Sequence, residues 1–330
     1  MMRPVKVAGL GTFVPPRVLT NEELEKMVDT SSDWIMQRTG IRERHIAEKG
    51  VATSDIAEPA ARAAMAEAGI TPAELGFIIV GTTTPDTIFP STACVLQAKL
   101  GAVNAWGYDL GAACSGFLYS LSTAYTMVAT GACDHALAVG ADVMSSIIDY
   151  TDRTTCILFG DGAGAVVLSA AAPGEPAIID FWNEIDGTGG PSLCMPAGGS
   201  RLPTSHETVD KRLHFVKQDG TAVFKFAVRK TEEISRRLLE RNGLTGRDLD
   251  LFVSHQANRR IIEAATERLE LEPSQVIINL ERFGNTTAGT IPLALQDARA
   301  EGRLKKGDLV LLTSVGAGFT VGSVLLRWGC

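Results

Sequence analysis

The chain has 330 residues, of which 45% are hydrophobic and 21% are charged, a balance that suits a compact α/β protein and excludes an extended disordered chain. The net charge of -7 and the absence of a Lys/Arg run argue against a nucleic-acid-binding surface. The sequence has no apolar stretch of membrane-spanning length and no signal-peptide pattern at its start. We therefore predict a cytoplasmic protein with no membrane partner.

The six cysteines show no C-x-x-C pair and no alternation with histidines, so the sequence predicts neither a metal site nor a disulfide framework. Five of them carry no distinctive context. Four are expected to be small packing residues, and the last a loose terminal thiol: Cys94, Cys133, Cys156, Cys194 and Cys330.

Near the start of the chain, the segment SSDWIMQRTG has helical character. Trp34 and Arg38 lie one helical turn apart in it and can share a face. An aromatic plane beside a guanidinium can stack an adenine and hold a phosphate. The residues alone leave open whether this pair binds a nucleotide or is a surface cation–aromatic contact.

An internal duplication organises the chain. A helical pattern stops at Gly69 and leads through an acidic turn into an apolar strand, and the same succession follows Gly243, 174 positions later. Cys114 and Asn285 are 171 positions apart, so we predict that they occupy equivalent strand-to-helix junctions. Alternating strands and helices in each half indicate mixed α/β sheets. Pro and Gly in residues 170–177 place the boundary, giving halves 1–173 and 174–330.

The segment around Cys114 reads as a strand, a tight turn and a helix. Residues 106–110 form the strand pattern, the turn consists of small residues, and a helical pattern ends at Gly131. Cys114 is thereby predicted at a helix N-terminus. There the helix dipole and free backbone N–H groups favour thiolate over thiol and can bind an oxyanion.

Two glycine-rich stretches invite a nucleotide-binding interpretation that the flanking residues do not support. Gly160-x-Gly162-x-x-Ala165 lies between apolar runs that indicate a β-hairpin rather than a strand followed by a helix. The stretch at 316–318 lies between two predicted strands and lacks G-K-[ST]. Residues 187–219, rich in Gly, Pro, Ser and Thr, are predicted to form long loops lining a substrate entrance.

Two further polar residues follow predicted strands in the second half. His255 comes directly after the strand pattern 251–254, and Asn285 lies between Gly284 and Thr286. A core histidine and a turn-forming asparagine are the ordinary alternatives. With Cys114 they form a cysteine nucleophile and two hydrogen-bond donors, which is equipment for thioester chemistry.

These residues in the contexts DLGAACSGF, VSHQAN and RFGNTTAG, with TSSDWIMQRTGIRERHI and ILFGDGAGAVVLS, resemble the β-ketoacyl-acyl carrier protein synthase III family of the thiolase superfamily. The resemblance runs from Val7 to Leu326. It implies a thiolase-like α/β fold in which two duplicated αβ halves form a five-layer αβαβα sandwich, and a homodimer. Asn at position 285, rather than a second His or Cys, points to the initiating class.

The resemblance also assigns binding roles. Backbone N–H groups of Cys114 and Ala317 would form an oxyanion hole, although Val315 stands where the family often has Phe. Phe89, reaching across a dimer interface, and Phe159 would wall the acyl pocket. The residues matching the coenzyme A and pantetheine site are Trp34, Arg38, Arg153, Gly220, Phe224, Asn258 and Arg260. Four basic residues would suit the binding of an acidic carrier protein if they converge at the channel mouth. They are Lys225, Arg259, Arg260 and Arg268.

The activity implied is the first condensation of type II fatty acid synthesis. An acyl-CoA primer, acetyl or short branched, would acylate Cys114 and then condense with malonyl-acyl carrier protein, using no cofactor and no metal. The alternatives are a polyketide- or quinolone-type starter synthase with the same triad and a non-catalytic acyl-binding subunit. A chalcone-type enzyme is disfavoured because its G-F-G-P-G loop is missing.

Overall fold

The computed structural model describes residues 2–330. The strands are β1 (Val5–Phe13), β2 (Arg17–Thr20), β3 (Glu43–Ile46), β4 (Phe77–Gly81), β5 (Trp106–Leu110), β6 (His135–Asp142), β7 (Gly162–Ala170), β8 (Ile178–Ile185), β9 (Leu193–Cys194), β10 (Lys217–Gln218), β11 (Leu251–Ser254), β12 (Leu309–Gly316) and β13 (Thr320–Arg327). The helices are α1 (Asn21–Leu24), α2 (Ser32–Thr39), α3 (Thr53–Ala68), α4 (Thr92–Leu100), α5 (Gly116–Ala129), α6 (His206–Asp210), α7 (Gly220–Arg241), α8 (Arg259–Arg268), α9 (Leu280–Phe283) and α10 (Thr290–Ala300).

Two mixed sheets form the framework of the molecule. The first has the strand order β1-β7-β6-β4-β5, and the second has the order β11-β12-β13-β8. Helices α5 and α10 pack between the sheets, α3 and α4 cover the outer face of the first, and α7 covers the second with α8 against it. The interior strand β4 is buried along its whole length, as expected for a parallel strand covered on both faces. The five-layer αβαβα arrangement predicted from the sequence is confirmed.

The duplication has one constant offset. Strands β11 and β12 and helix α10 begin 174 residues after β4, β6 and α5. Ala113 and Thr287, also 174 apart, both have positive φ angles, of 46° and 49°. The position equivalent to Cys114 is therefore Ala288. Asn285 lies in the corresponding segment before the central helix, as predicted, but three residues earlier than exact equivalence requires. The cysteine lies within the repeated turn, whereas the asparagine precedes it.

The two halves differ at one close contact. A Cβ on Gly81, at the end of β4, would lie 2.5 Å from backbone atoms of Gly116, so the first half packs glycine against glycine. The residues 174 positions later are His255 and Thr290. The corresponding contact in the second half is thus made by two polar side chains. It places His255 at the end of β11, next to the start of the central helix α10.

Two loop predictions have different outcomes. The predicted hairpin around Gly160 is wrong, because only β7 forms and residues 156–158 are turns. Phe159 instead forms an isolated β-bridge with Asn285, and the Arg44 side chain donates a hydrogen bond to the Ile157 carbonyl. These two contacts hold the segment outside the sheets. Residues 187–219 contain only short elements, as predicted for long loops. Residues 171–177 carry the chain from the first sheet to the second, while the residue-level boundary of the halves stays a prediction.

Two of the cysteines depart from expectation. Cys94 is exposed rather than packed. Cys330 is not a loose terminal thiol, because it packs against the central core, and burial raises its pKa to about 12.

Among the helices of residues 2–330, none combines the length and apolar character needed to cross a bilayer.

Candidate active site

The three residues of the predicted triad meet in one pocket. Cys114, His255 and Asn285 all line a cavity of about 300 Å³, and each side chain is about 6% exposed. They come from three separate loops, one in the first half of the chain and two in the second. A buried cysteine, a histidine ring and an asparagine amide thus line a single space.

Residues from the second half of the chain fix the loop that carries Cys114. Cys114 lies in a single 3₁₀ turn that leads directly into α5. The hydroxyl of Ser314 donates to the Cys114 carbonyl at 2.9 Å, and that of Thr320 donates to the Ala112 carbonyl at 2.7 Å. Position 316 requires glycine, because a Cβ on Gly316 would lie 2.8 Å from the Cys114 nitrogen. These contacts fix the cysteine at the helix start, where the sequence predicts it.

The ionisation of the Cys114 thiol depends on its surroundings. Burial, and secondarily the charge of Asp142, raise the pKa of its thiol to about 12. Burial thus opposes the ionisation that the helix N-terminus is expected to favour. Cys114 is a protonated thiol at neutral pH, and its proton has to depart when the sulfur attacks.

His255 is anchored through both backbone and ring. Its N–H donates to the Thr313 carbonyl at 2.8 Å, and its Nδ1 lies 2.7 Å from the Thr290 hydroxyl oxygen. Burial lowers the pKa of His255 to about 3, so the ring is neutral and only one nitrogen carries a proton. Thr290 was missed by sequence reasoning, because a threonine at a helix start is ordinary.

Asn285 has a defined amide orientation. Its Oδ1 accepts the Thr287 N–H at 2.9 Å, which leaves the NH₂ group free to donate into the pocket. Its backbone is fixed on both sides, by donation from its N–H to the Leu158 carbonyl and by the Gly160 N–H donating to its carbonyl. The site can therefore present an amide donor to an oxygen that acquires charge.

The residues assigned to coenzyme A lead from this site to the surface. Five of the seven line the same cavity: Trp34, Arg38, Gly220, Phe224 and Asn258. The other two contact them, since the Arg153 guanidinium lies 5.3 Å from the Trp34 ring centroid and that of Arg260 lies 5.1 Å from the Phe224 ring. The predicted set is thus one continuous channel, and its binding role stays a prediction.

A smaller cavity of about 120 Å³ lies on another side of Cys114, and Phe159 and Ala317 line it with the cysteine. Sequence reasoning missed most of its walls, of which only Leu193, Cys194 and Met195 lie in the predicted loop 187–219. The missed residues are Thr83, Met144, Ile147, Leu193, Cys194 and Met195. Phe89 is 84% exposed and is not part of the cavity of its own chain.

The predicted basic set is divided. Lys225 is exposed on the second turn of α7 and Arg260 on the first turn of α8, beside the channel residues Phe224 and Asn258. Two other members have acidic partners and contribute less free positive charge: Arg259 lies 3.6 Å from Glu281, and Arg268 lies 3.3 Å from Glu232.

Comparison with known proteins gives consistent results. Residues 108–187 match the family described as 3-oxoacyl-[acyl-carrier-protein (ACP)] synthase III, and residues 239–328 match its C-terminal counterpart. The chain is 57% identical to the β-ketoacyl-[acyl-carrier-protein] synthase III of Koribacter versatilis, over 99% of this chain and 98% of the relative. It is 58% identical to that of Solibacter usitatus, over 99% of each. The solved structure of 3-oxoacyl-(acyl carrier protein) synthase III from Pseudomonas aeruginosa is similar with a TM-score of 0.92 and 40% identity, over 99% of each chain.

Proposed function

Because this chain belongs to the β-ketoacyl-[acyl-carrier-protein] synthase III family, we propose that its two cavities carry out the two half-reactions of that enzyme on Cys114. The protein is an acyltransferase, the initiating condensing enzyme of fatty acid synthesis. Its substrates in this proposal are an acyl-CoA primer and malonyl-acyl carrier protein. The primer chain occupies the small cavity, and the pantetheine arm lies in the channel between Trp34 and Phe224.

The first half-reaction acylates the enzyme. The Cys114 sulfur attacks the thioester carbon of the primer, the bond to the coenzyme A sulfur breaks, and the thiol proton leaves with coenzyme A. Backbone N–H groups of Cys114 and Ala317 stabilise the oxyanion. The proton is thus accounted for even though burial keeps the pKa of Cys114 at about 12.

The second half-reaction is a decarboxylative condensation. The thioester oxygen of malonyl-acyl carrier protein accepts hydrogen bonds from the ring of His255 and the amide of Asn285. Carbon dioxide leaves and its bonding electrons form an enolate, which these donors stabilise. The enolate carbon attacks the acyl group, the acyl–sulfur bond breaks, and the Cys114 thiolate takes up a proton from water. These steps balance without an oxidant or a reductant, so the proposal requires no redox cofactor.

One observation carries the proposal: Cys114, His255 and Asn285 converge at the base of a channel that also holds Trp34 and Phe224. A subunit that only bound acyl chains would not need three polar groups around a thiol. The relatives at 57% and 58% identity are both named synthase III, and these names do not favour the polyketide- or quinolone-type alternatives.

The proposal includes a cytoplasmic homodimer joined at β5. This strand is an edge of the first sheet, and its Trp106 is 55% exposed. Phe89 is 84% exposed, and a large exposed apolar surface beside a sheet edge suits docking of a second copy. Phe89 would then wall the partner's acyl cavity. Sedimentation of the wild type as a dimer and of Trp106→Glu as a monomer would support this arrangement, whereas a monomeric wild type would contradict it.

The experiment that tests the function is intact-protein mass spectrometry after exposure to acyl-CoAs of increasing length and branching. A single acyl adduct that disappears in Cys114→Ala establishes the nucleophile and ranks the primers. The small cavity leads us to expect adducts from acetyl and short branched chains. If no acyl-CoA gives an adduct, the proposed priming step is wrong.

A further inference from the structure

Asp142 is a buried carboxylate to which the reaction described above gives no role. It lies at the C-terminal end of β6 and is 0% exposed. Its partners are backbone N–H groups and threonine hydroxyls, and all of them can donate to it. This is the pattern of an ionised carboxylate satisfied by hydrogen bonds, without which burial of a charge would be very costly.

The two carboxylate oxygens bind different parts of the chain. Oδ1 accepts from the turn that follows β4: from the Thr83 N–H at 2.7 Å, the Thr84 N–H at 3.2 Å, and the hydroxyls of Thr82, Thr83 and Thr84 at 3.0 Å each. Oδ2 accepts from the second half of the chain, namely from the Thr287 hydroxyl and from the Ala288 N–H at 3.3 Å. One side chain therefore joins two loops from opposite halves.

Both loops reach the site. Thr83 and Thr287 line the small cavity together with Cys114. Thr287 also donates its N–H to the Oδ1 of Asn285, which orients the amide toward the larger cavity. Asp142 thus contacts the wall of the primer cavity through one oxygen and supports the donor Asn285 through the other.

The nucleophile is held by other groups. The loop of Cys114 is fixed by Ser314 and Thr320, and Asp142 makes no hydrogen bond to it. Loss of the Asp142 carboxylate would therefore loosen the Asn285 loop and leave the cysteine loop in place. This asymmetry separates the two half-reactions.

We propose that Asp142 is a positioning residue for the condensation half-reaction, which aligns Asn285 through Thr287 and fixes the Thr83 wall of the primer cavity. The proposal rests on the proposed function, because it assumes that Asn285 donates to the malonyl thioester. It assigns Asp142 no contact with substrate, and the residue acts only through the two loops that it joins.

Asp142→Asn is the sharpest test. The asparagine keeps the shape of the side chain, and its amide oxygen can accept the donors of the 82–84 turn. Its NH₂ group then faces the Ala288 N–H, which loses its acceptor, so the disturbance falls on the Asn285 loop. We expect malonyl decarboxylation to fall at least about tenfold, while acyl-enzyme forms at least as fast as in the wild type, because the Asp142 charge no longer raises the pKa of Cys114.

Asp161→Asn is the matched control. Asp161 is also 0% exposed and accepts hydrogen bonds from Ser145 and Ala47, but it binds neither the Asn285 loop nor the Cys114 loop. Its replacement should not separate the two half-reactions.

If Asp142→Asn does not fold, Thr287→Ala removes one donor to Oδ2, and we expect the same selective loss of decarboxylation.

A second readout does not depend on activity. Hydrogen exchange measured by mass spectrometry should show faster exchange of residues 284–290 in Asp142→Asn, with no change in residues 112–116. Equal loss of both half-reactions, or wild-type decarboxylation together with wild-type exchange, would overturn the proposal. If the wild-type protein forms no acyl-enzyme, the proposed function fails, while the exchange comparison still decides whether Asp142 holds the Asn285 loop.

Discussion

The Nδ1 of His255 lies 2.7 Å from the hydroxyl oxygen of Thr290, and these two residues occupy the positions that Gly81 and Gly116 hold in the first half. The Thr290 hydroxyl has two neighbours, Nδ1 of His255 and the Thr287 carbonyl oxygen at 3.0 Å, and it can donate its one hydrogen to either. A neutral histidine that donates from Nε2 requires that this hydrogen go to Nδ1. Thr290→Val keeps the shape but removes this hydrogen bond. We expect malonyl decarboxylation by this variant to fall about tenfold, in line with the loss of a buried hydrogen bond.

The control for this variant is Thr290→Ser, which keeps the hydroxyl and loses only a methyl group. Its decarboxylation rate should stay close to that of the wild type. ¹⁵N NMR of the His255 ring provides a readout that packing alone would not move, because the nitrogen shifts report the hydrogen bond to Nδ1. Equal rates in the Val and Ser variants would mean that Thr290 does not support the ring.

Alanine variants of the triad should divide the reaction in two. Cys114→Ala should form no acyl-enzyme, whereas His255→Ala and Asn285→Ala should still acylate but should decarboxylate malonyl-thioester at least about a hundredfold more slowly. Intact-protein mass measures the first half-reaction, and release of carbon dioxide measures the second. Loss of acylation to the same extent in all three variants would contradict this division of labour.

Burial of His255 predicts a loss of stability in mild acid. The folded protein keeps this ring neutral because its pKa is lowered from 6.5 to about 3. As the pH falls below 6.5, the unfolded chain binds a proton that the folded chain does not. The contribution is fully present above pH 6.5 and declines by about 1.4 kcal/mol per pH unit as the pH falls toward 3. Urea unfolding at pH 6.5, 5.5 and 4.5 should show this slope.

The matched variant for this experiment is His255→Gln, which removes the titrating ring and leaves all other ionisable groups unchanged. The wild type should lose free energy of unfolding relative to this variant as the pH is lowered. Parallel pH dependences of wild type and variant would show that His255 does not remain neutral in the folded state.

The sequence predicted the elements of this site better than their environment. The strand, turn and helix around Cys114 follow from local residue pattern, and the five-layer fold follows from duplication. The exact equivalence of the two halves could not be predicted, because it depends on the backbone of Ala113 and Thr287, both of which have positive φ although neither is glycine. Thr290 and Asp142 also escaped notice, since a residue that acts through tertiary hydrogen bonds leaves no motif.

The pair of Trp34 and Arg38 predicts a specific kinetic effect. The Arg38 and Arg153 guanidinium groups lie 5.8 Å and 5.3 Å from the Trp34 ring centroid, so the ring is bordered by cations at the channel rim. Trp34→Ala should raise the KM for acyl-CoA about tenfold without lowering the maximal acylation rate, because it removes a stacking surface far from the thiol. Trp34→Phe keeps an aromatic face and should have a smaller effect. A fall in the maximal rate alone would contradict a binding role.

The reactivity of Cys114 tests the competition between burial and the helix N-terminus. Burial raises the pKa of its thiol to about 12, so alkylation by iodoacetamide should accelerate with each pH unit from 7 to 9.5 and should show no plateau in that range. A free cysteine, with a pKa of about 8.5, would already approach its plateau there. Intact mass after timed exposure gives the rate, and Cys114→Ala identifies the modified residue. A plateau near neutral pH would mean that the start of α5 stabilises the thiolate after all, and acylation would then begin from the anion rather than from the thiol.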